Sequence, residues 1–111
     1  MSIYEAITDY LDAWDDIRKA YYERRGYKWP TDGHLALQDN PKWLKIINIR
    51  PDLAGISQTS VEAFIDRETG DIYKPASWSR PAKHIRGNVF SDKHGMESID
   101  DTAYPSVRYL R

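Results

Sequence analysis

Residues 1–26 constrain the fold more than any other stretch of the chain. Ile3, Ile7, Tyr10, Trp14, Ile17 and Tyr21 recur in alternating steps of four and three, which places them along one side of an α-helix. Ser2 followed by Glu5 is a capping-box pattern, and Gly26 after Arg24 and Arg25 supplies a stop. Glu5, Asp9, Asp12, Asp15 and Asp16 precede any Lys or Arg, so acids sit toward the N-terminal end and cations toward the C-terminal end, as the helix dipole favours. The pattern predicts a helix over residues 2–25. One apolar stripe of this length must cover something. It either lies on a sheet of the same chain or, since the spacing is also that of a coiled-coil seam, pairs with a second copy.

A chain of 111 residues is one domain with one modest core, so residues 1–111 are taken as a single unit. Residues 26–42 carry dispersed turn formers, among them Pro30, Gly33, Asn40 and Pro41, and are expected to form a connection with turns at residues 31–33 and 40–41. Trp43–Arg50 is rich in β-branched residues and closes at Pro51, a central strand by composition. A loop is expected over residues 52–60. Strands at residues 61–66 and 71–74 follow, joined by a hairpin in which Gly70 takes the positive-φ position. Short loops force these strands to run antiparallel. Beyond them the sequence suggests a helical turn opened by Pro81 and stopped at Gly87, then a short strand near residues 88–91; a strand through residues 83–90 is the rival. Residues 92–106 are polar and turn-rich, and residues 107–110 are read as an edge strand. The expected class is α+β: a long N-terminal amphipathic helix on an antiparallel sheet of three to five strands, with the sheet and a basic loop in residues 43–111.

That basic loop is the stretch Lys74–Asn88. It contains Lys74, Trp78, Arg80, Lys83, His84 and Arg86, no acid, and the stiffening residues Pro75 and Pro81. Arg80 and Arg86 are the better phosphate candidates because a guanidinium fork matches phosphate oxygens. Trp78 is a core residue, a cation–π partner or a stacking platform. His84 either holds the loop by a hydrogen bond or serves a ligand. Asn88 offers a donor and an acceptor to a base edge, although Gly-Asn is equally a turn signal. The candidate ligand-binding residues are therefore Trp78, Arg80, Lys83, His84, Arg86 and Asn88.

Other chemistry is sparse. The chain has no cysteine, which excludes disulfides and thiolate metal sites. His34, His84 and His94 have no ligand spacing, so no metal is expected. No Gly-rich phosphate loop or nucleophile elbow is present, and neither a cofactor nor a catalytic residue is expected. A net charge of −1 argues against a strongly basic duplex-DNA binder. No apolar window reaches the length of a membrane span.

Ser60–Asp66, Thr69–Trp78 and Pro81–Asn88, with the pattern TGD-x-YKPASW-x-x-PAKH-x-RGN, resemble a segment of small proteins encoded by tailed bacteriophages. The resemblance covers residues 42–90, and most such proteins have no assigned activity. The segment is also similar to that of phage anti-Thoeris sponge proteins, which bind cyclic ADP-ribose-type signals or cyclic oligonucleotides. This resemblance implies a non-enzymatic, homo-oligomeric protein of the infected host cytoplasm that sequesters a small cyclic nucleotide, with a pocket aromatic at Trp78 and a pocket amide at Asn88. The alternatives are a phage nucleic-acid-binding or replication accessory module using the same basic strip, or an inhibitor of a host protein using the acidic helix face.

Overall fold

The computed structural model describes residues 1–26, 34–51, 57–101 and 105–108. The expected α+β architecture is present: helix α1 (Ile3–Arg25) packs on a five-stranded antiparallel sheet, and a small two-stranded sheet lies beside it. Ser2 and Glu5 form the capping box, and Gly26 takes the left-handed conformation at φ 71°. The helix is thus bounded as its sequence dictates.

The main sheet is a meander of β1 (His34–Asp39), β2 (Trp43–Pro51), β3 (Ser57–Asp66), β4 (Asp71–Tyr73) and β5 (Gly87–Asn88), in that spatial order. A bulge separates the Ile46↔Ala63 and Ile47↔Val61 pairs, which makes Glu62 the extra residue of β3. A short 3₁₀ turn (Met96–Ser98) leads into β6 (Ile99–Asp100), which pairs with β7 (Ser106–Val107).

Alternation along the strands sends Leu35, Leu44, Ile46, Ala63, Ile65 and Ile72 to the helix side, where they meet Ala6, Ile7, Tyr10 and Trp14 in one buried cluster. Polar tips of the core aromatics are satisfied from the C-terminal part of the chain. Ser98 Oγ donates to the Gly95 carbonyl at 2.7 Å, so the Tyr10 hydroxyl is the donor to Ser98 Oγ, at 3.1 Å. Trp14 Nε1 donates to the Pro105 carbonyl at 3.3 Å. Near its start the helix is tied to the sheet by Tyr4, whose hydroxyl donates to Asp39 at 3.0 Å, and Arg67 forms an ion pair with the same carboxylate.

Several boundaries differ from those expected. The connection at residues 26–42 contains a full strand, β1, because Leu35 and Leu37 alternate toward the core while Ala36 faces away. The loop expected over residues 52–60 ends earlier, since β3 begins at Ser57. The short strand expected at residues 88–91 is Gly87–Asn88, and a turn follows it. Residues 92–106 include the 3₁₀ turn and β6. The apolar seam of α1 from Ile3 to Trp14 packs in one cluster with its own sheet, and Ile17 and Tyr21 lie outside that cluster. The turn expected at residues 31–33, the loop at residues 52–56 and the end of the last strand at residues 109–110 lie outside the described residues.

Candidate functional site

β4 does not end the hairpin system. The chain continues into an arm, residues 74–82, in which the Lys74 carbonyl accepts from the Ala82 N–H at 2.7 Å and the Arg80 carbonyl accepts from the Ala76 and Ser77 N–H groups at 3.0 and 3.1 Å. Pro75 faces Pro81 across the arm in an isolated bridge. Proline suits such a site because it has no N–H to leave unpaired. The helical turn expected from Pro81 to Gly87 is therefore corrected. Pro81 closes a β-type arm, and no described residue between 81 and 87 is helical.

The arm folds over the sheet face opposite α1. On that face Lys45 pairs in register with Phe64, and Phe64 with Tyr73. The Trp43 ring stands edge-on to Phe64 at 5.9 Å and to Tyr73 at 5.6 Å. Lys45 lies between rings, with Nζ 4.6 Å from the Trp78 centroid and 5.4 Å from that of Phe64. It donates to the Trp78 carbonyl at 2.6 Å. Lys45 is only 7% exposed, and among the described residues no carboxylate pairs with it. A buried ammonium with two N–H donors left over favours an anion, because burial weakens competition from water.

Beside Lys45 an open groove of about 670 Å³ is lined by Asn40, Pro41, Lys42, Trp43, Lys45, Ser79, Arg80 and Pro81. One wall is the β1–β2 turn, closed by the Asn40 N–H bond to the Trp43 carbonyl at 3.0 Å. The other wall is the arm. Arg67 fixes the first wall, its Nε donating to the Asn40 carbonyl at 2.9 Å. The lining contains three cations, one indole and no acid.

Of the six residues selected from sequence, Arg80 lines this groove. Trp78 lies beside it with one side against Lys45, and is 45% exposed. Lys83 and His84 are exposed on the returning segment, where His84 takes φ 72°. Their carbonyls accept from Arg86 Nη1, and Arg86 Nε donates to the Arg108 carbonyl. Asn88 is occupied in the fold: its amide donates to the Thr69 carbonyl at 2.8 Å and to Asp71 at 3.0 Å, and its oxygen accepts from the Phe90 N–H at 2.8 Å. The structure thus places Arg80 and Trp78 at the groove, while Arg86 holds the carbonyls of Lys83, His84 and Arg108 and Asn88 ties β5 to the β3–β4 hairpin. Replacing Asn88 with alanine is expected to cost about 1–3 kcal/mol of stability through its lost hydrogen bonds, with ligand response kept. A shift in denaturant midpoint alongside an unchanged titration checks this.

Lys42, Trp43 and Lys45 also line the groove, although their sequence context does not single them out. The available signal was a lysine inside an apolar strand, two residues after a tryptophan, so that both share one face.

Lys74, at the base of the arm, donates to the Val107 carbonyl at 2.7 Å. Burial lowers its pKa from 10.5, Arg86 adds to the lowering, and Glu62 opposes it. Between the lowered value and 10.5 the unfolded chain holds more protons at this group than the folded one, so this group's contribution to stability rises with pH. Compared with Lys74→Gln, the wild type is expected to gain relative stability as pH rises through that window, as melting curves at stepped pH will read.

A model of a family of unknown function, DUF7717, matches residues 6–110. The chain belongs to that family. For this DUF7717 member the matched span takes in the helix from Ala6 onward, both sheets and the arm, so the groove lies within the family unit. No curated protein and no solved structure matches the chain. Among the described residues no helix is long and apolar enough to cross a membrane, and no group of three or more His, Asp or Glu could hold a metal ion.

Proposed function

We propose that this protein is a phage-encoded, non-enzymatic binder that sequesters a cyclic nucleotide immune signal, of the cyclic ADP-ribose or cyclic oligonucleotide type, in the host cytoplasm. The observation that carries the ligand class is the acid-free groove in which the Trp43 indole lies among Lys42, Lys45 and Arg80. An indole offers a base a stacking surface, and the cations offer phosphates charge-assisted hydrogen bonds. Sequestration requires retention of an unaltered ligand and no proton transfer.

A thermal-shift panel of cyclic nucleotides tests the proposal. Ligand at a hundred times its dissociation constant should stabilise the fold by about 2.7 kcal/mol. Arg80→Ala should weaken binding by roughly tenfold or more, since hydrogen bonds to charged groups contribute about 1.5–3 kcal/mol. Ligand recovered by denaturation should have an unchanged mass. Absence of stabilisation by any member of the panel, well above micromolar concentration, overturns the proposal.

The partly exposed Trp78 ring favours one other reading, a single nucleic-acid strand tracking from the groove across the arm. That reading predicts binding that falls steeply with salt and requires several nucleotides. Fluorescence titration with short oligonucleotides at stepped ionic strength separates the two.

A further inference from the structure

β1 is the outer strand of the main sheet, with β2 on one side and no described strand on the other. Such an edge leaves a row of N–H and C=O groups unpaired, and proteins ordinarily guard it with lysine, proline, a bulge or brevity. The far edge of this sheet, β5, is only two residues long. Among the described residues β1 has no such protection. It runs for six residues, His34–Asp39, in unbroken register with β2, and contains no Lys, Arg or Pro.

Two antiparallel copies related by a twofold axis normal to the sheet must place one residue opposite itself, because directly opposed side chains share a face. Centring the pair on Ala36 sets Leu35 against Leu37 of the second copy and His34 against Gln38. Leu35 belongs to the buried core, and Leu37 packs on that core while still partly exposed. In this register each Leu37 is covered by the other copy's Leu35, and the two cores become continuous. Asp39 falls beyond the paired span and is already ion-paired with Arg67. Centring on Leu37 would instead set Leu35 against the carboxylate of Asp39, so the Ala36 register is favoured.

We propose that two copies of this chain join edge to edge through β1, antiparallel about a twofold axis at Ala36, forming one sheet across both subunits. The grooves proposed to bind nucleotide begin at Asn40, so they lie toward opposite ends of the paired strands, roughly 26 Å apart for eight residues at the usual strand rise. Assembly and ligand binding are therefore separate properties, and failure of one leaves the other standing.

Sedimentation across a concentration range tests the interface. The wild type should be dimeric well above micromolar concentration. Ala36→Lys and Ala36→Glu should each be monomeric with native circular dichroism, since each sets like charges against each other at the axis. Mixing the two variants should restore a dimer containing one of each. In wild-type protein, alternate amides of residues 34–38 should exchange more slowly as concentration rises, a measurement that does not depend on the variants folding. A monomeric wild type, a dimer that survives both substitutions, variants that do not pair on mixing, or β1 amide exchange independent of concentration overturns the proposal. So does a monomer whose β1 edge is protected only by an added extended peptide.

Discussion

Replacing Trp14 with alanine is expected to cost about 3–5 kcal/mol, the range for emptying a buried aromatic site. Trp14 is 1% exposed and lies at the centre of the helix stripe, with its ring tilted against Tyr10 at 5.4 Å. Its neighbours come from a helix, a sheet and the C-terminal segment, so no single element can move in to close the hole. The substitution also leaves the Pro105 carbonyl without its indole donor. Domains of this size hold only about 5–15 kcal/mol in total, and the variant should therefore be close to unfolding at body temperature. Trp14→Phe keeps most of the packing and loses the N–H, so it should fall between wild type and alanine. Urea unfolding followed by far-ultraviolet circular dichroism reads both, and a cost under about 1.5 kcal/mol for Trp14→Ala would show that the core relaxes around the gap.

The second large effect is on binding. Under the proposed function, Lys45→Met should reduce nucleotide affinity by roughly tenfold to a hundredfold, the equivalent of losing a hydrogen bond from a charged donor. Fold stability should change by less than about 1.5 kcal/mol, because methionine preserves the volume between Phe64 and Trp78. In wild type the lysine stands between two rings in a residue position that is only 7% exposed, and methionine removes the charge together with the cation–π contacts. A binding loss with the melting temperature held near that of wild type identifies Lys45 as a ligand contact. Equal loss of both, or unchanged affinity, would make it a structural pin for the arm. Calorimetric titration beside thermal unfolding distinguishes these outcomes.

The features readable from sequence are those governed by neighbours along the chain. The helix ends follow from Ser2, Glu5 and Gly26, and the β3–β4 hairpin from Gly70, which takes φ 79°. β1 was hidden because Asn40, Pro41 and the turn formers before His34 suggested a connection; the weaker signal was Leu35 and Leu37 on alternate positions. The sequence suggests a helical turn from Pro81 to Gly87 because Pro81 is a good first helical residue. What decided otherwise was the pairing of Pro75 with Pro81, which a linear reading of either proline does not disclose. The groove was half visible. Arg80 and Trp78 stood out among cations, whereas Lys45 was concealed in a run that read as core. Asn88 and Arg86 were attractive for their donors, yet backbone carbonyls and Asp71 claim those donors first.

The meander order has a consequence for how the chain assembles. Every pairing in the main sheet joins consecutive strands, so its hairpins need only local loop closure and can form early. The helix is different. Its anchoring bonds reach from Tyr10 to Ser98 and from Trp14 to Pro105, separations of 88 and 91 residues. During synthesis the helix emerges before the sheet, and its final partners, Ser98 and Pro105, emerge after the sheet. Its apolar stripe must therefore wait for the sheet and then for Ser98 and Pro105, exposed until they have emerged. Ribosome-bound fragments that stop before residue 98 should thus be the aggregation-prone species.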